Sequence, residues 1–397
     1  MKAGWQRKKL ADVLKIQNGY AFDSKKFNSS KGMPLVRIRS LKLGIETETW
    51  FDGPYEDKYV VKAGDLLIGM DGEFGCFEWK GNPSLLNQRV CRLQNFTGAL
   101  IPKFLFYGVN DYLKAIEDVT GFTTVKHLSS KQVLDIDFPI PPLPEQHRIV
   151  AILDEAFDGI STAKANAEKN RQNARALFES HLQSVFTEQG EGWVETTIGN
   201  ICDIKHGFAF DGADFSNDVP EGNPYVITPG NFTEDGKLLF NARNTKRLSG
   251  NAPAGYRFEV GDLVVVMTDL SSKMKILGKP AFVETDNVLH NQRIGRVVFS
   301  SDRIEKRLLY FFMMTESFLK NIKMSATGTM VKHTAPKRIL SNLIPFPENR
   351  LDQRAIIRKL NDLREETQRI ESLYQQKLSA LDDLKKSLLH QAFSGQL

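Results

Sequence analysis

Residues 145–186 read EQHRIVAILDEAFDGISTAKANAEKNRQNARALFESHLQSVF. The run holds no proline, and only Gly159 interrupts good helix formers. A helix of ~40 residues spans ~60 Å and outruns a single small domain. Positions stepping alternately by four and three read Ile149, Leu153, Ala156, Ile160, Ala163, Ala167, Asn170, Ala174 and Leu177, which is a heptad seam. Its alanines would let a partner helix approach closely. A second seam lies near the end of the chain, at Ile356, Leu360, Leu363, Thr367, Ile370 and Tyr374, continuing through Leu381, Leu384 and Leu388. Two such helices can satisfy each other as an antiparallel coiled coil, with Asn170 and Thr367 as polar register markers. The alternative is two surface helices, each packed on its own module.

Outward from this helix, the chain repeats itself. Gly4-Trp5 returns as Gly192-Trp193, and Asn18-Gly-Tyr-Ala-Phe22 as His206-Gly-Phe-Ala-Phe210. Gly64-Asp65-Leu66 returns as Gly261-Asp262-Leu263, and Asn87-Gln88-Arg89 as Asn291-Gln292-Arg293. Thr120-Gly121 and Val125-Lys126-His127 return as Thr327-Gly328 and Val331-Lys332-His333. Pro139-Ile-Pro141 returns as Pro345-Phe-Pro347, and the tails match at Ser180, Leu182, Phe186 and Ser387, Leu389, Phe393. A period this long is a domain duplication rather than a solenoid repeat. Each copy begins with strand-like runs such as Pro34-Leu-Val-Arg-Ile-Arg39 and Asp262-Leu-Val-Val-Val-Met267. Apolar helical stretches follow at 102–118 and 304–323, then a proline-rich break that opens a long helix. The aromatic pairs Tyr20/Phe208 and Phe22/Phe210 read as core.

Composition narrows the class. Of the chain's 397 residues, 41% are hydrophobic and 25% charged, ordinary for a globular protein. The first copy, residues 1–144, holds 20 Lys/Arg against 16 Asp/Glu, and residues 192–348 hold 19 against 17. Both are weakly basic, which permits a polyanionic partner without requiring one. Cys76, Cys91 and Cys202 form no CxxC or Cys/His cluster, so no structural zinc is expected, and their sparseness fits a reducing cytosol. No apolar run predicts a signal peptide or a membrane span.

Catalytic patterns are missing. Gly230–Lys237 has five residues between its glycines and Leu238 where a phosphate loop needs Ser or Thr, so it reads as a polar turn. Asp71, Glu78 and Lys80 superficially resemble a metal-dependent nuclease triad, but the matching stretch 269–279 lacks the pattern. No loop to grip a flipped adenine and no glycine-rich nucleotide loop is present. His127 and His333 recur without a nearby nucleophile or carboxylate in sequence.

The plan of module, helix, module, helix resembles that of the specificity (S) subunits of type I restriction–modification enzymes. Leu143-Pro-Glu-Gln-His-Arg-Ile149, repeated as Leu351-Asp-Gln-Arg-Ala-Ile356, is similar to the entry to that family's helices. The ending Leu384-Lys-Lys-Ser-Leu-Leu-His-Gln-Ala-Phe-Ser-Gly-Gln-Leu397 is similar to its C-terminus. The opening Trp5-x5-Leu-x-Asp and then Gly-Tyr-Ala-Phe look like the start of a target-recognition domain. The resemblance implies an α+β fold: two tandem mixed α/β target-recognition domains separated by two long conserved helices, an antiparallel coiled coil with an internal pseudo-twofold repeat. The expected boundaries are 1–144 and 189–348 for the recognition domains, with 145–188 the central helix and 349–397 the C-terminal helix. It implies a cytoplasmic, non-catalytic subunit that reads a bipartite asymmetric site on double-stranded DNA. Expected partners are two methyltransferase subunits and, in the full complex, two restriction subunits. S-adenosylmethionine, ATP and Mg²⁺ would belong to those partners, with no cofactor bound by this chain. The rival expectation is a stand-alone coiled-coil DNA-binding regulator without methyltransferase partners.

Base reading needs paired donors and acceptors; phosphate contacts need Lys, Arg, Ser, Thr or backbone amides. The candidates in the first module are Lys25, Lys26, Arg37, Arg39, Lys42, Gln88, Arg89, Thr123, Thr124 and Lys126. Those in the second are Thr228, Asn231, Ser271, Ser272, Lys273, Lys275, Gln292, Arg293, Thr329 and Lys332. A shared pair such as Arg89/Arg293 cannot alone encode two half-sites and reads as a phosphate contact or a fold element. Specificity is expected where the copies diverge, at 23–45, 68–82, 211–250 and 267–280.

Overall fold

Residues 66–69 and 263–266 are short apolar runs buried at every position, which makes each the natural centre of a sheet. A computed structural model describes residues 4–43, 47–120, 126–216 and 222–397, without the side chains of 42, 43, 215 and 216. In the first module the strands run in the order Lys15–Asn18, Val90–Gln94, Leu66–Gly69 and Gly75–Glu78, all antiparallel. In the second, Cys202–His206, Ile294–Phe299, Leu263–Val266 and Pro280–Phe282 repeat that order and pairing. A second sheet of short strands stands beside each, with five strands in the first module and four in the second among the described residues. It includes one parallel pair, Met33–Val36 with Ser84–Leu86 in one module and Tyr225–Val226 with Val288–Leu289 in the other.

The recurring Gly-Trp and Pro-x-Pro motifs turn out to be the two ends of one closure. Gln6–Lys9 pairs antiparallel with Asp137–Ile140, and Trp193–Thr197 with Leu343–Pro347. Each closure is a two-stranded ribbon, so the prolines sit where a missing N–H costs no ladder bond on a further strand. The helical stretch of the first module is a single helix, Pro102–Val119. In the second it is broken into Lys306–Met314 and Glu316–Met324. Thr315 causes the break. Buried and extended, it donates its hydroxyl to Phe312 O and caps the next helix by accepting from Phe318 N.

The two long helices are Leu143–Thr187 and Arg350–Ser394, 45 residues each. The chain forms two compact units: Met1–Ala167 with Gln376–Leu397, and Glu168–Gln375. Each unit therefore takes one module and a part of both helices. Within the first, Lys164 pairs with Asp382 and the Lys385 ammonium lies 5.0 Å from the Phe157 ring. Within the second, Asn170 donates to Tyr374 OH (3.0 Å) and Arg175 to Glu371 (2.9 Å). In both, one number rises as the other falls, so the helices are antiparallel.

The seam corrects the heptad count at several places. Ile149, Leu153, Ile160, Ala167 and Leu360 are buried. Ala156, Ala163, Ala174, Ile356, Leu363, Ile370, Tyr374, Leu381 and Leu388 are half-buried. Leu177 is 65% exposed and Leu384 48% exposed. A helix of 3.6 residues per turn drifts ~20° per heptad from a strict 3.5 repeat. After Ala174 the inward face passes to Phe178, Leu182 and Phe186, which join the core of the second unit. Thr367 is no cross-helix register marker, because its hydroxyl donates to Leu363 O of its own helix.

One buried side chain ties each module to its own helix. Gln146 accepts from Ile101 N and donates to Ala99 O and Pro141 O, all at 2.8 Å. Gln353 accepts from Glu305 N and donates to Arg303 O and Pro347 O, again all at 2.8 Å. Both glutamines are fully buried. This lock is the physical content of the repeated Glu145-Gln146 and Asp352-Gln353 entry. The three cysteines are free and buried, and burial pushes the Cys91 and Cys202 thiols up to about 12. Among the described residues, no helix is long and apolar enough to cross a membrane.

Candidate DNA interface

Two of the repeated motifs meet at one edge of each module. A Cβ on Gly19 would stand 2.0 Å from Asn87 O, and one on Gly207 within 2.4 Å of the Asn291 carbonyl. Only glycine permits that approach. It lets Gln88 N donate to Tyr20 O (3.0 Å) and Gln292 N to Phe208 O (2.9 Å). The strand end beside this turn carries Met70, whose N–H donates to Arg89 O (2.9 Å) and whose carbonyl accepts from Leu128 N (2.8 Å). Met267 repeats both bonds, with Arg293 O (3.0 Å) and Thr334 N (2.9 Å). The glycine-aromatic turn, the Asn-Gln-Arg turn and the Lys-His segment thus converge on one exposed edge, twice.

The side chains on that edge are aromatic and basic. Tyr20 is 49% and Phe208 39% exposed, while Phe22 and Phe210 are buried. The core assignment therefore fails for the pair Tyr20/Phe208 and holds for Phe22/Phe210. Each exposed ring stands edge-on to its buried partner at 5.1 Å and against a further tyrosine, Tyr59 at 5.2 Å or Tyr256 at 5.3 Å. These two tyrosines had no signal in the repeat. Gln88, Arg89, Gln292 and Arg293 are all exposed. In the first module the Arg89 guanidinium lies 3.1 Å from the Asp71 carboxylate, which also receives His127 Nδ1 at 2.7 Å. Sequence separates this Asp–His pair by 56 positions, which hid it. In the second module Thr268 takes the place of Asp71 and meets His333 Nδ1 at 3.1 Å.

A family model described as type I restriction modification DNA specificity domain matches residues 2–170 and again 190–379. The chain belongs to that family. The EcoBI specificity subunit of Escherichia coli is 27% identical to it, over 99% of this chain and 86% of its own length. The MjaVIII specificity subunit of Methanocaldococcus jannaschii is 22% identical, over 92% and 86% respectively. The fold is that of the HsdS subunit from Thermoanaerobacter tengcongensis, with a TM-score of 0.54 at 18% identity over 100% of this chain and 98% of that one. A chain solved in work on complex assembly and conformational transition of the type I system gives a TM-score of 0.74 at 18% identity, covering 100% and 99%.

The other candidates in the two specificity domains scatter more widely. Lys25 and Lys26 are exposed on a short turn capped by Asp23, which accepts from Lys25 N at 3.0 Å. Arg37 and Arg39 are exposed just after Met33–Val36 of the second sheet. Thr123 and Thr124, with Gly121 and Val125, lie outside the described residues, as does the Lys42 side chain. Lys126 Nζ donates to Glu117 O and Lys332 Nζ to Gly328 O, both at 2.7 Å. Ser271, Ser272 and Lys273 are exposed on a loop shaped by buried Asp269, which accepts from Ser271 N and Ile276 N. Lys275 pairs with Glu234 at 2.7 Å, and Thr329 is exposed. Asn231 does not belong with them. It is fully buried and spends its amide on Thr228, Leu239 and Asn244. The Thr228 hydroxyl is engaged with it, so the Gly230–Lys237 stretch is a braced polar turn. Asp71 is held by His127 and Arg89 rather than by Glu78 and Lys80.

Proposed function

We propose that the chain is a non-catalytic specificity subunit whose two modules each read one half of a bipartite, asymmetric site on duplex DNA. The observation that carries this reading is the duplicated edge. One backbone frame presents aromatic, amide and guanidinium groups twice, with different neighbours each time. A common frame gives a common way of sitting on phosphates, and unlike side chains give unlike half-sites. The long helices dock two methyltransferase subunits and, in the full complex, two restriction subunits. S-adenosylmethionine, ATP and Mg²⁺ serve those partners, and the chain works with them in the cytoplasm. The antiparallel helix pair sets the non-specific spacer between the half-sites.

Coexpression with an adenine-methyltransferase subunit, sought among the neighbouring genes, tests both parts. A stable complex that methylates a bipartite motif is expected. Inserting whole heptads into both helices should lengthen the spacer and leave the half-sites intact. DNA binding without any methyltransferase complex would favour a stand-alone regulator, and an unchanged spacer would remove the ruler.

A further inference from the structure

The two modules carry the same arginine in the same backbone setting but not in the same electrostatic one. Arg89 and Arg293 follow identical Asn-Gln dipeptides and accept the same backbone bond from Met70 and Met267. The residue after that methionine is Asp71 in one copy and Thr268 in the other. Asp71 is largely buried, at 18% side-chain exposure, whereas Arg89 and His127 are 56% and 59% exposed. Its carboxylate holds Nη1 of Arg89 at 3.1 Å and is itself anchored by His127 at 2.7 Å. The Nε–Nη2 edge of Arg89 carries no hydrogen bond among the described residues, and the side chain is 56% exposed. Arg293 is exposed and has no ion-pair partner among the described residues.

A tethered guanidinium and a loose one suit different contacts. A free arginine must lose its rotamer freedom on binding and serves a phosphate from many orientations. An arginine fixed at one nitrogen presents its remaining planar pair of donors in one direction. Two parallel N–H donors match the O6 and N7 acceptors of guanine in the major groove. We propose that Asp71 is a positioning residue that fixes Arg89 as the reader of one guanine in the half-site of the first module. The second module, with Thr268, has no such reader at this place. The inference rests on the DNA-reading function proposed above.

The test compares methylated motifs of the coexpressed complex, read by sequencing modified genomic DNA. The first module's half-site is the half left unchanged when residues 192–348 are exchanged. Wild type should show an invariant G·C pair in it. Asp71→Ala and Arg89→Lys should each relax that pair alone, with discrimination falling on the order of 10–100-fold. The rest of the motif, including the whole second half, should stay as it was. A variant-free arm uses wild-type complex and duplexes carrying 7-deazaguanine at that pair, which lacks the N7 acceptor. Binding should fall about tenfold there and not at G·C pairs of the second half. A first half-site without an invariant G·C pair overturns the proposal. So does an unchanged motif in both variants, or a uniform loss of affinity across sequences, which marks a phosphate contact. Wild-type complex that methylates no bipartite motif instead sinks the function on which the proposal rests.

Discussion

Gln146 and Gln353 show how a single side chain can hold an element in place. Each satisfies three backbone groups that water cannot reach. Gln146→Leu keeps the bulk and strands all three, which should cost ~3 kcal/mol. Thermal or urea unfolding of the variant measures it, and a loss below ~1 kcal/mol would mean that the groups find other partners. His290 offers a second residue-scale prediction. Burial pushes its pKa down to about 4, and its Nε2–H donates to Ile294 O at 2.8 Å. The neutral ring is the folded form, so its contribution is complete above pH ~6.5. It is lost as pH falls towards 4, where the unfolded chain has already taken up the proton. The loss should total roughly 3 kcal/mol across that window. His290→Gln keeps a donor and cannot titrate, so its urea midpoint should fall less steeply than that of wild type between pH 6.5 and 4. Parallel curves would rule out the histidine as the source.

Elements were legible to the extent that their signal was local. The repeat announced strand-like runs and both long helices, but it read the closing ribbon only as a proline-rich break, and the run at 34–39 as strand where a helix begins at Ile38. Their reasons lay in tertiary contacts. Nothing in Asn18-Gly-Tyr says that Gly19 must admit the Asn87 carbonyl. The heptad count placed Leu153 correctly and Leu177 wrongly, because a strict 3.5 period cannot follow where a 3.6 helix turns its face. Asn231 has the chemistry of a base reader, and only its burial shows that it braces a turn. The C-terminal helix makes its own element-scale prediction. Within the first unit, Phe393 packs on Phe104 at 5.0 Å and on Phe138 at 5.9 Å. A Cβ on Gly108 would stand 2.3 Å from the Phe393 ring. Gly108→Val should expel that ring at a cost of about 1–3 kcal/mol. Hydrogen exchange in residues 387–394 should then accelerate while the sheet of the first module stays protected. Unchanged exchange there would mean the last turn is held by other contacts.

At the scale of the whole molecule, the duplication divides labour. The shared residues build the frame: the glycine turns, the closing ribbons, the glutamine locks and the helix pair. Unshared residues stand beside the edge that this frame exposes and change its neighbours, as with Asp71 against Thr268. A protein so organised should be able to change half of its target and keep the other half. Exchanging residues 192–348 for the corresponding module of a relative, coexpressing the hybrid with its methyltransferase subunit and sequencing the methylated motif is the most direct test. The account predicts a new second half-site beside an unaltered first one. A motif changed in both halves would contradict it.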